Sequence, residues 1–487
     1  MNAEVCPSQK AILRCSRSSR CLPTGPIIWL SVVLLCCTPL RGQNNQDTVT
    51  GNESPKHIME FLDGSYLHGD VEQLSAENGL DWQHPLAANP MRFNLDNLSR
   101  LRLNASNSIA SEVQPECRFE FVNGDLIYGN LQRLSREEVS LKTWFGGEMN
   151  TSRAALRRIA FLKSGYKVIY EGPNGIDDWM LGQGQNGWTY ADGRLRIKNR
   201  GVLGRNFQLK DSCNLSFDLE WDQPFQLSIT MFTDTLNRFD YRQGSYIFFL
   251  SPQFVSFQRV QPGTGVLTLG QVRMDQLSNV SKARFSIRAH RETSKFAVYI
   301  NDQLVSTFRD NRGFVAEGKG ISLASQLSAS SFAVSDMLVT EWDGTDESDL
   351  SFEATESSDV LHLINQDKPK GDVVQILDQK IHFKLRKERD IRIPLERIKQ
   401  IHFTAEDQQK PPAEKSTDRI RAHFAGGGSL SFDLVSLNEK NLQGNSEHFG
   451  ELSFTSSAIR QIEFNLNHQS RKHDQAADTY WNMENQP

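Results

Sequence analysis

The chain has 487 residues, of which 38% are hydrophobic and 23% charged, a length for about three domains and an ordinary composition for a globular protein. Its 54 basic and 59 acidic residues give a formal charge of -5. No basic excess is available to neutralise a phosphate backbone, which excludes nucleic acid as a partner.

The first predicted element is an export signal over residues 1–42. Lys10, Arg14, Arg17 and Arg20 precede the apolar run Ile27 to Cys37, and Thr38-Pro39-Leu40-Arg41-Gly42 follow. The run is too short to span a bilayer comfortably, and its basic, apolar, small-residue order is that of a secretory signal, with a retained anchor as the competitor. The expected location is therefore secreted, periplasmic or at the cell surface, with no transmembrane helix after signal removal. Without the signal, 49 basic and 58 acidic residues leave -9. Five of seven cysteines also go with it, so Cys117 and Cys213 remain, either to pair as a disulfide or to stay as thiols.

After a polar linker at 43–55, a unit of about 43 residues occurs four times, at 56–104, 116–164, 359–404 and 419–466. Three copies align without a gap: Phe119 to Phe161, Leu361 to Phe403 and Ala422 to Phe464. Such repetition is an architectural signal. In the second copy Phe119 and Phe121 alternate with charged residues, as a half-buried strand requires. Asn123-Gly124 predicts a type I′ hairpin. Strand two runs from Leu126 to Leu134 with a bend or bulge at Gly129. A strand at Val139 and Leu141, a turn at Gly146-Gly147, a strand near Met149 and one at Ile159 to Phe161 complete the unit. Each copy is near the size at which a lone core is marginal, so the copies should pack in pairs. Gly426-Gly427-Gly428 aligns with Asn123-Gly124 and reads as a hairpin turn rather than a phosphate loop.

This strand order and glycine placement resemble Sm-like and SH3-like barrels. The loops lack the base-stacking aromatic and adjacent basic residue of RNA-binding Sm proteins.

Between the second and third copies, residues 166–344 read as many short strands without amphipathic helices, which predicts an antiparallel β-sandwich. Strands are expected at 195–197, 213–221, 225–233, 246–250, 254–260, 283–289, 295–300, 320–324 and 331–342. Trp188-Thr189-Tyr190-Ala191-Asp192-Gly193-Arg194-Leu195, Asn214 to Trp221 and Phe296 to Val305 resemble phrases of concanavalin A-like lectins, glucanases and LamG-type domains. They also resemble a secreted bacterial family of 3-keto-disaccharide hydrolase-like proteins, although the Asn-Ser-Gly phrase of that family is missing. The whole chain resembles uncharacterised exported proteins of planctomycete-type bacteria. An acidic linker (345–358), a second linker (405–418) and a polar tail (467–487) complete the organisation. The expected fold class is all-β, a concanavalin-like sandwich flanked on each side by two small SH3/Sm-like barrels.

Candidate chemistry lies in the sandwich. Glycoside hydrolysis needs two carboxylates on facing positions. The resemblance to concanavalin-like hydrolases points to Glu341 and Asp343, or to Glu220 and Asp222, against the alternative of solvated charge. The loop Thr233 to Arg242 offers Asp234, Asn237, Asp240 and Tyr241, a set that suits hydroxyl recognition beside an aromatic ring, or one Ca²⁺ held by oxygens. Trp179 and Trp188 read as core. The eleven histidines are scattered, His362, His382 and His402 among them, and are expected at the surface. The reading is a non-catalytic binding protein with a glycan or envelope-protein partner. A glycoside-processing enzyme and a structural envelope component are the alternatives.

Overall fold

The computed structural model describes residues 57–103, 114–162, 166–182, 187–222, 224–274, 277, 280–327, 330–342, 358–385, 389–404 and 419–467. Residues 1–56, with the expected signal and linker, lie outside them, as do Asp343 and residues 405–418. The described residues form no α-helix, and no helix among them is long and apolar enough to cross a membrane.

The first five strands are β1 (His57–Phe61), β2 (Tyr66–Ser75), β3 (Gly79–Gln83), β4 (Met91–Phe93) and β5 (Leu98–Arg102). The same path recurs in β6 (Cys117–Phe121), β7 (Leu126–Leu134), β8 (Glu138–Thr143), β9 (Gly147–Ser152) and β10 (Leu156–Phe161). In each unit the first strand lies between the second and the fifth, the third pairs with the second, and the fourth pairs with the third. A single 3₁₀ turn, Leu95–Asn97 or Arg153–Ala155, leads into the fifth strand. Alternation creates the buried face: Phe119, Phe121 and Ile127 point inward while Arg118 and Glu120 point out.

The first hairpin differs from the expected type I′. Only Gly124 has positive φ, Gly124 N–H donates to Phe121 O at 3.1 Å and Phe121 N–H to Asp125 O at 2.9 Å. This is a type I turn closed by a left-handed residue, a three-residue hairpin loop. Asn123 contributes through its side chain, whose Oδ1 accepts the Asp125 N–H at 3.1 Å. Nor is Gly129 the bulge. The register shifts two residues later, between Leu131 and Arg133, whereas a Cβ at Gly129 would lie 2.7 Å from Lys142 O.

The middle of the chain supplies β11 (Val168–Gly172), β12 (Met180–Leu181), β13 (Trp188–Ala191), β14 (Arg194–Ile197), β15 (Gly201–Asn206), β16 (Ser212–Trp221), β17 (Leu227–Thr233) and β18 (Ser245–Leu250). It continues through β19 (Phe254–Gln261), β20 (Gly265–Arg273), β21 (Lys282–His290), β22 (Lys295–Ile300), β23 (Gln303–Arg309), β24 (Gly320–Ser325) and β25 (Phe332–Thr340). These make two antiparallel sheets. The first runs β13-β14-β25-β16-β21-β22-β23, with β11 also on β25, and the second runs β12-β15-β24-β17-β18-β19-β20. Between them lies one core, with Phe217, Phe285 and Val298 from the first sheet meeting Ile229, Phe248, Phe257 and Leu323 from the second. The architecture is a β-sandwich. Inside it, Asp310 accepts hydrogen bonds from Tyr246 Oη at 2.7 Å and from Arg259, which ties the segment after β23 to the core.

The last ten strands are β26 (Asp359–Leu363), β27 (Lys370–Leu377), β28 (Lys380–Leu385), β29 (Asp390–Pro394) and β30 (Ile398–His402), then β31 (Arg419–Phe424), β32 (Ser429–Leu437), β33 (Asn441–Ser446), β34 (Gly450–Thr455) and β35 (Ile459–Glu463). Their pairing repeats that of the first ten. At the position of Gly124, the third unit carries Gln366 with φ 71° and the fourth carries Gly427 with φ 100°.

The units flank the sandwich in sequence but join one another in space. β10 pairs with β30 through Ile159 and Ile401, and β5 pairs with β35 through Leu101 and Ile462. All four units share one hydrophobic core that includes these residues. Each fifth strand would otherwise present a bare edge, and mutual pairing removes it. Polar locks reinforce the joins. Buried Asp125 of the second unit accepts from Ser431 N–H and Oγ of the fourth, at 3.0 and 2.8 Å. Buried Arg153 pairs with Asp359 of the third unit and donates to Val373 O at 2.7 Å. Cys117 lies in this shared core and Cys213 in the sandwich core, both as free buried thiols, the second of the two alternatives open from sequence. Burial pushes both thiols up to about 12.

Candidate functional site

The two outer faces of the sandwich differ in chemistry. The first sheet carries charge along its strands: Arg194 and Arg196 on β14, Asp218 and Glu220 on β16, Lys282 and Arg284 on β21, Asp336 on β25. This face meets the first and fourth units through ion pairs. Arg194 donates to Glu220 at 2.6 Å and to Glu60 of the first unit at 2.8 Å. Arg102 Nε lies 3.2 Å from Glu60, and its Nη2 lies 3.4 Å from Asp336. Arg100 lies 3.4 Å from Glu463 of the fourth unit, and Arg460 of that unit lies 2.6 Å from Glu171. The triple-glycine turn joins this seam: Gly426 N–H donates to Glu171 at 2.9 Å, and a Cβ at Gly427 would approach Tyr166 Oη to 2.9 Å.

Burial works to raise the Glu60 carboxyl, but the guanidiniums of Arg102, Arg100 and Arg194 outweigh it and hold it at about 2. The same contest lowers Asp336 well below the ordinary carboxylate range, with Arg102 and Arg460 overcoming burial.

Of the four catalytic candidates, Glu220 alone takes part in these contacts. Glu220 pairs with Arg194 at 2.6 Å while its side chain stays 42% exposed. Asp222 is exposed in the turn after β16. Glu341 is half-buried beyond the end of β25, with its N–H donating to Lys167 O at 2.9 Å. Glu220 faces Ala333 at the opposite end of β25, so eight residues of extended chain, about 26 Å, separate it from Glu341. Glu220 and Glu341 therefore belong to no common glycosidase pair, and Asp343, the expected partner of Glu341, lies outside the described residues.

The second sheet presents the opposite character. None of its seven strands contains Asp, Glu or Lys, and their arginines are Arg205, Arg259 and Arg273. Arg259 lies in the core on Asp310, and Arg205 stacks on Tyr170 with its guanidinium 4.5 Å from the ring centroid. Strand register aligns two rows across the outer face. One runs Val202, Ala324, Ser228, Phe249, Ser256, Gln271; the other runs Gly204, Ser322, Thr230, Ile247, Gln258, Thr268. The small central side chains of Ser228, Thr230, Ser256, Ser322 and Ala324 are only 1–7% exposed. Within the rows Phe249 and Gln258 are partly exposed, and toward the rims Met180, Leu181, Val266 and Leu267 are exposed. The middle of the face is therefore little exposed, and solvent reaches the two rows chiefly at Phe249, Gln258, Thr268 and Gln271. Ser228 Oγ is buried there with no hydrogen-bond partner.

The loop singled out from sequence closes one end of this face. A Cβ on Gly204 would lie 2.3 Å from Leu236 O, and one on Gly320 would lie 2.5 Å from Leu236 Cδ2, so both glycines make room for the loop. Asp234 Oδ1 accepts the Lys319 N–H at 3.0 Å. Asp240 accepts from the Arg242 side chain and N–H, which hold its carboxyl at about 2. Phe239 and Tyr241 lie nearly parallel with centroids 6.4 Å apart, and Tyr241 is half exposed. Asn237 is half-buried. Asp240 is thus engaged by arginine and Asp234 by a backbone amide. Among the described residues, no group of three or more His, Cys, Asp or Glu side chains converges.

Trp179 and Trp188 are core residues. His362 departs from the expected surface position: it is 2% exposed, with its ring 4.9 Å from that of His402. The row of hydroxyls on β17 and β24 escaped sequence reading because Ser and Thr in strands carry no motif. The signal that was available is the absence of charge from those strands.

No family model matches the chain, and no curated protein does. Solved structures similar to it include a carbohydrate-binding module, CBM66, from Bacillus subtilis, at 12% identity and TM-score 0.25, over 33% of this chain and 94% of that one. The carbohydrate recognition domain of Emp46p in potassium-bound form is 14% identical at TM-score 0.28, over 37% of this chain and 98% of that one. A putative glycosyl hydrolase from Parabacteroides distasonis is 11% identical at TM-score 0.27, over 36% of this chain and 99% of that one. At these scores the functional reading rests on the chemistry of the site itself.

Proposed function

We propose that this is an exported, non-catalytic binding protein of the cell envelope that holds a glycan on the outer face of the second sandwich sheet. The observation that carries the reading is the split in chemistry between the two sheets. The sheet with carboxylates is engaged by the first and fourth units, and the sheet facing away from that seam offers hydroxyls, amides and Phe249 with no acid. Sugars are bound by an aromatic or apolar platform with hydrogen-bonding groups around it, and two rows of Ser, Thr and Gln about Phe249 and Ile247 meet that need. The four five-stranded units, read as small SH3/Sm-like barrels, brace the first sheet and fix how the second is presented.

The test is a glycan array followed by calorimetry on the full chain lacking residues 1–42. Phe249→Ala should weaken binding at least about tenfold, ~1.4 kcal/mol, and Tyr241→Ala should weaken it if the loop wall is used. Empty arrays, with capture of an envelope protein instead, would sink the glycan reading.

A further inference from the structure

We infer, resting on the proposed glycan site, that its ligand is an uncharged glycan and that uronate- or sulfate-bearing glycans are rejected. The middle of the outer face consists of Ala324, Ser228, Phe249 and Ser256 beside Ser322, Thr230, Ile247 and Gln258, with no formal charge in either row and with Phe249 and Gln258 its partly exposed members. Charge enters only at the margins. Arg273 ends β20, and in the loop Asp240 is neutralised by Arg242, with Arg238 3.8 Å away. A carboxylate or sulfate seated on this face would lose its hydration and gain no cation, and hydroxyl donors alone do not offset that loss.

A neutral sugar meets the opposite situation. Its hydroxyls both donate and accept, as do those of Ser, Thr and the Gln amides. Ser228 Oγ lies below the solvent-accessible surface, so the ligand is met by the more exposed Phe249, Gln258, Thr268 and Gln271 of the two rows. The charge pattern across the molecule supports the same selection, because cations and anions are collected on the first sheet and paired within the seam. The two outer rows of the second sheet are left without formal charge. Recognition there depends on hydrogen bonding and apolar contact, which salt does not screen.

The experiment compares unsubstituted glucans and mannans with polyuronates and sulfated glycans, using the full chain lacking residues 1–42. Binding is read at about 0.05 M and about 0.5 M salt. The expected result is binding of uncharged polymers with an affinity that salt leaves unchanged, and acidic polymers about 10- to 100-fold weaker. Gln258→Lys, at a half-exposed position, should leave the fold intact and create salt-sensitive binding of acidic polymers. Preference for acidic polymers, or binding that weakens as salt rises in the unmodified protein, overturns this inference and leaves the glycan site standing. Failure of every polymer to bind overturns the site itself.

Discussion

Glu60→Gln tests the seam most directly. The carboxylate lies 2.8 Å from Arg194, 3.2 Å from Arg102 and 3.7 Å from Arg100. Burial alone would raise its pKa, yet the three guanidiniums bring it from 4.5 to about 2. At 1.36 kcal/mol per unit, that drop is worth about 3 kcal/mol of stability. It agrees with the ~3–5 kcal/mol typical of removing one partner from a buried ion pair. The folded-state pKa is depressed, so the contribution is complete above pH 4.5 and disappears as pH falls from 4.5 toward 2. Denaturant unfolding of the wild type and of Glu60→Gln should therefore differ by about 3 kcal/mol at pH 7 and converge near pH 2. Asp81→Asn breaks an exposed pair with Arg92 and serves as the control with no measurable change. A difference under about 1 kcal/mol at pH 7, or one that stays constant down to pH 3, would refute the claim that arginine compensation holds the seam.

Two further outcomes follow from the units. Burial holds the His362 imidazole at about 4 and that of His402 at about 3, with Lys368 and Arg158 adding to the effect. Unfolded histidine binds protons near 6.5, so stability is full above that pH and falls as pH drops from 6.5 toward 4, and His362→Phe should flatten that fall in thermal melts. Gln366 occupies a left-handed position where the other units have glycine. Gln366→Gly should change stability by within about 1 kcal/mol and in the favourable direction, because relief of strain exceeds the added chain entropy; a loss of more than that in denaturant unfolding would contradict the shared turn geometry.

The fold was legible where periodicity is local. Phe119 and Phe121 marked β6, and the apolar alternation of Leu215, Phe217 and Leu219 marked β16, because a strand with one buried face writes its pattern in every second residue. β15 and β20 were missed: Gly201-Val202-Leu203-Gly204 and Gly265 to Gly270 put glycines and exposed apolar residues where alternation should be. Turn type failed at Asn123-Gly124 because one left-handed residue satisfies the hairpin when the loop has three residues. At the site, the loop carrying Asp234 and Tyr241 was identified, and the sheet it borders was not. The role of Glu220 depends on Arg194, 26 residues away, and on Glu60, 134 residues from that arginine. No spacing rule reaches that far. A charged strand residue reads as solvated until the partner surface is in place.

The same long-range pairing accounts for the charge on the surfaces that meet at the seam. The units and the sandwich each enclose an apolar core, so the surfaces they press together were never required to be apolar. Two polar surfaces can meet without large desolvation loss only if each charge finds its opposite. Glu60, Glu171, Asp336 and Glu463 face Arg100, Arg102, Arg194 and Arg460 in that way. Such an interface adds little net stability over an apolar one, but it tolerates only one register, since a shifted strand would bury unpaired charge. Orientation is what it supplies. The lowered carboxyls of Glu60 and Asp336 are the record of that register, each held down by the arginines that face it.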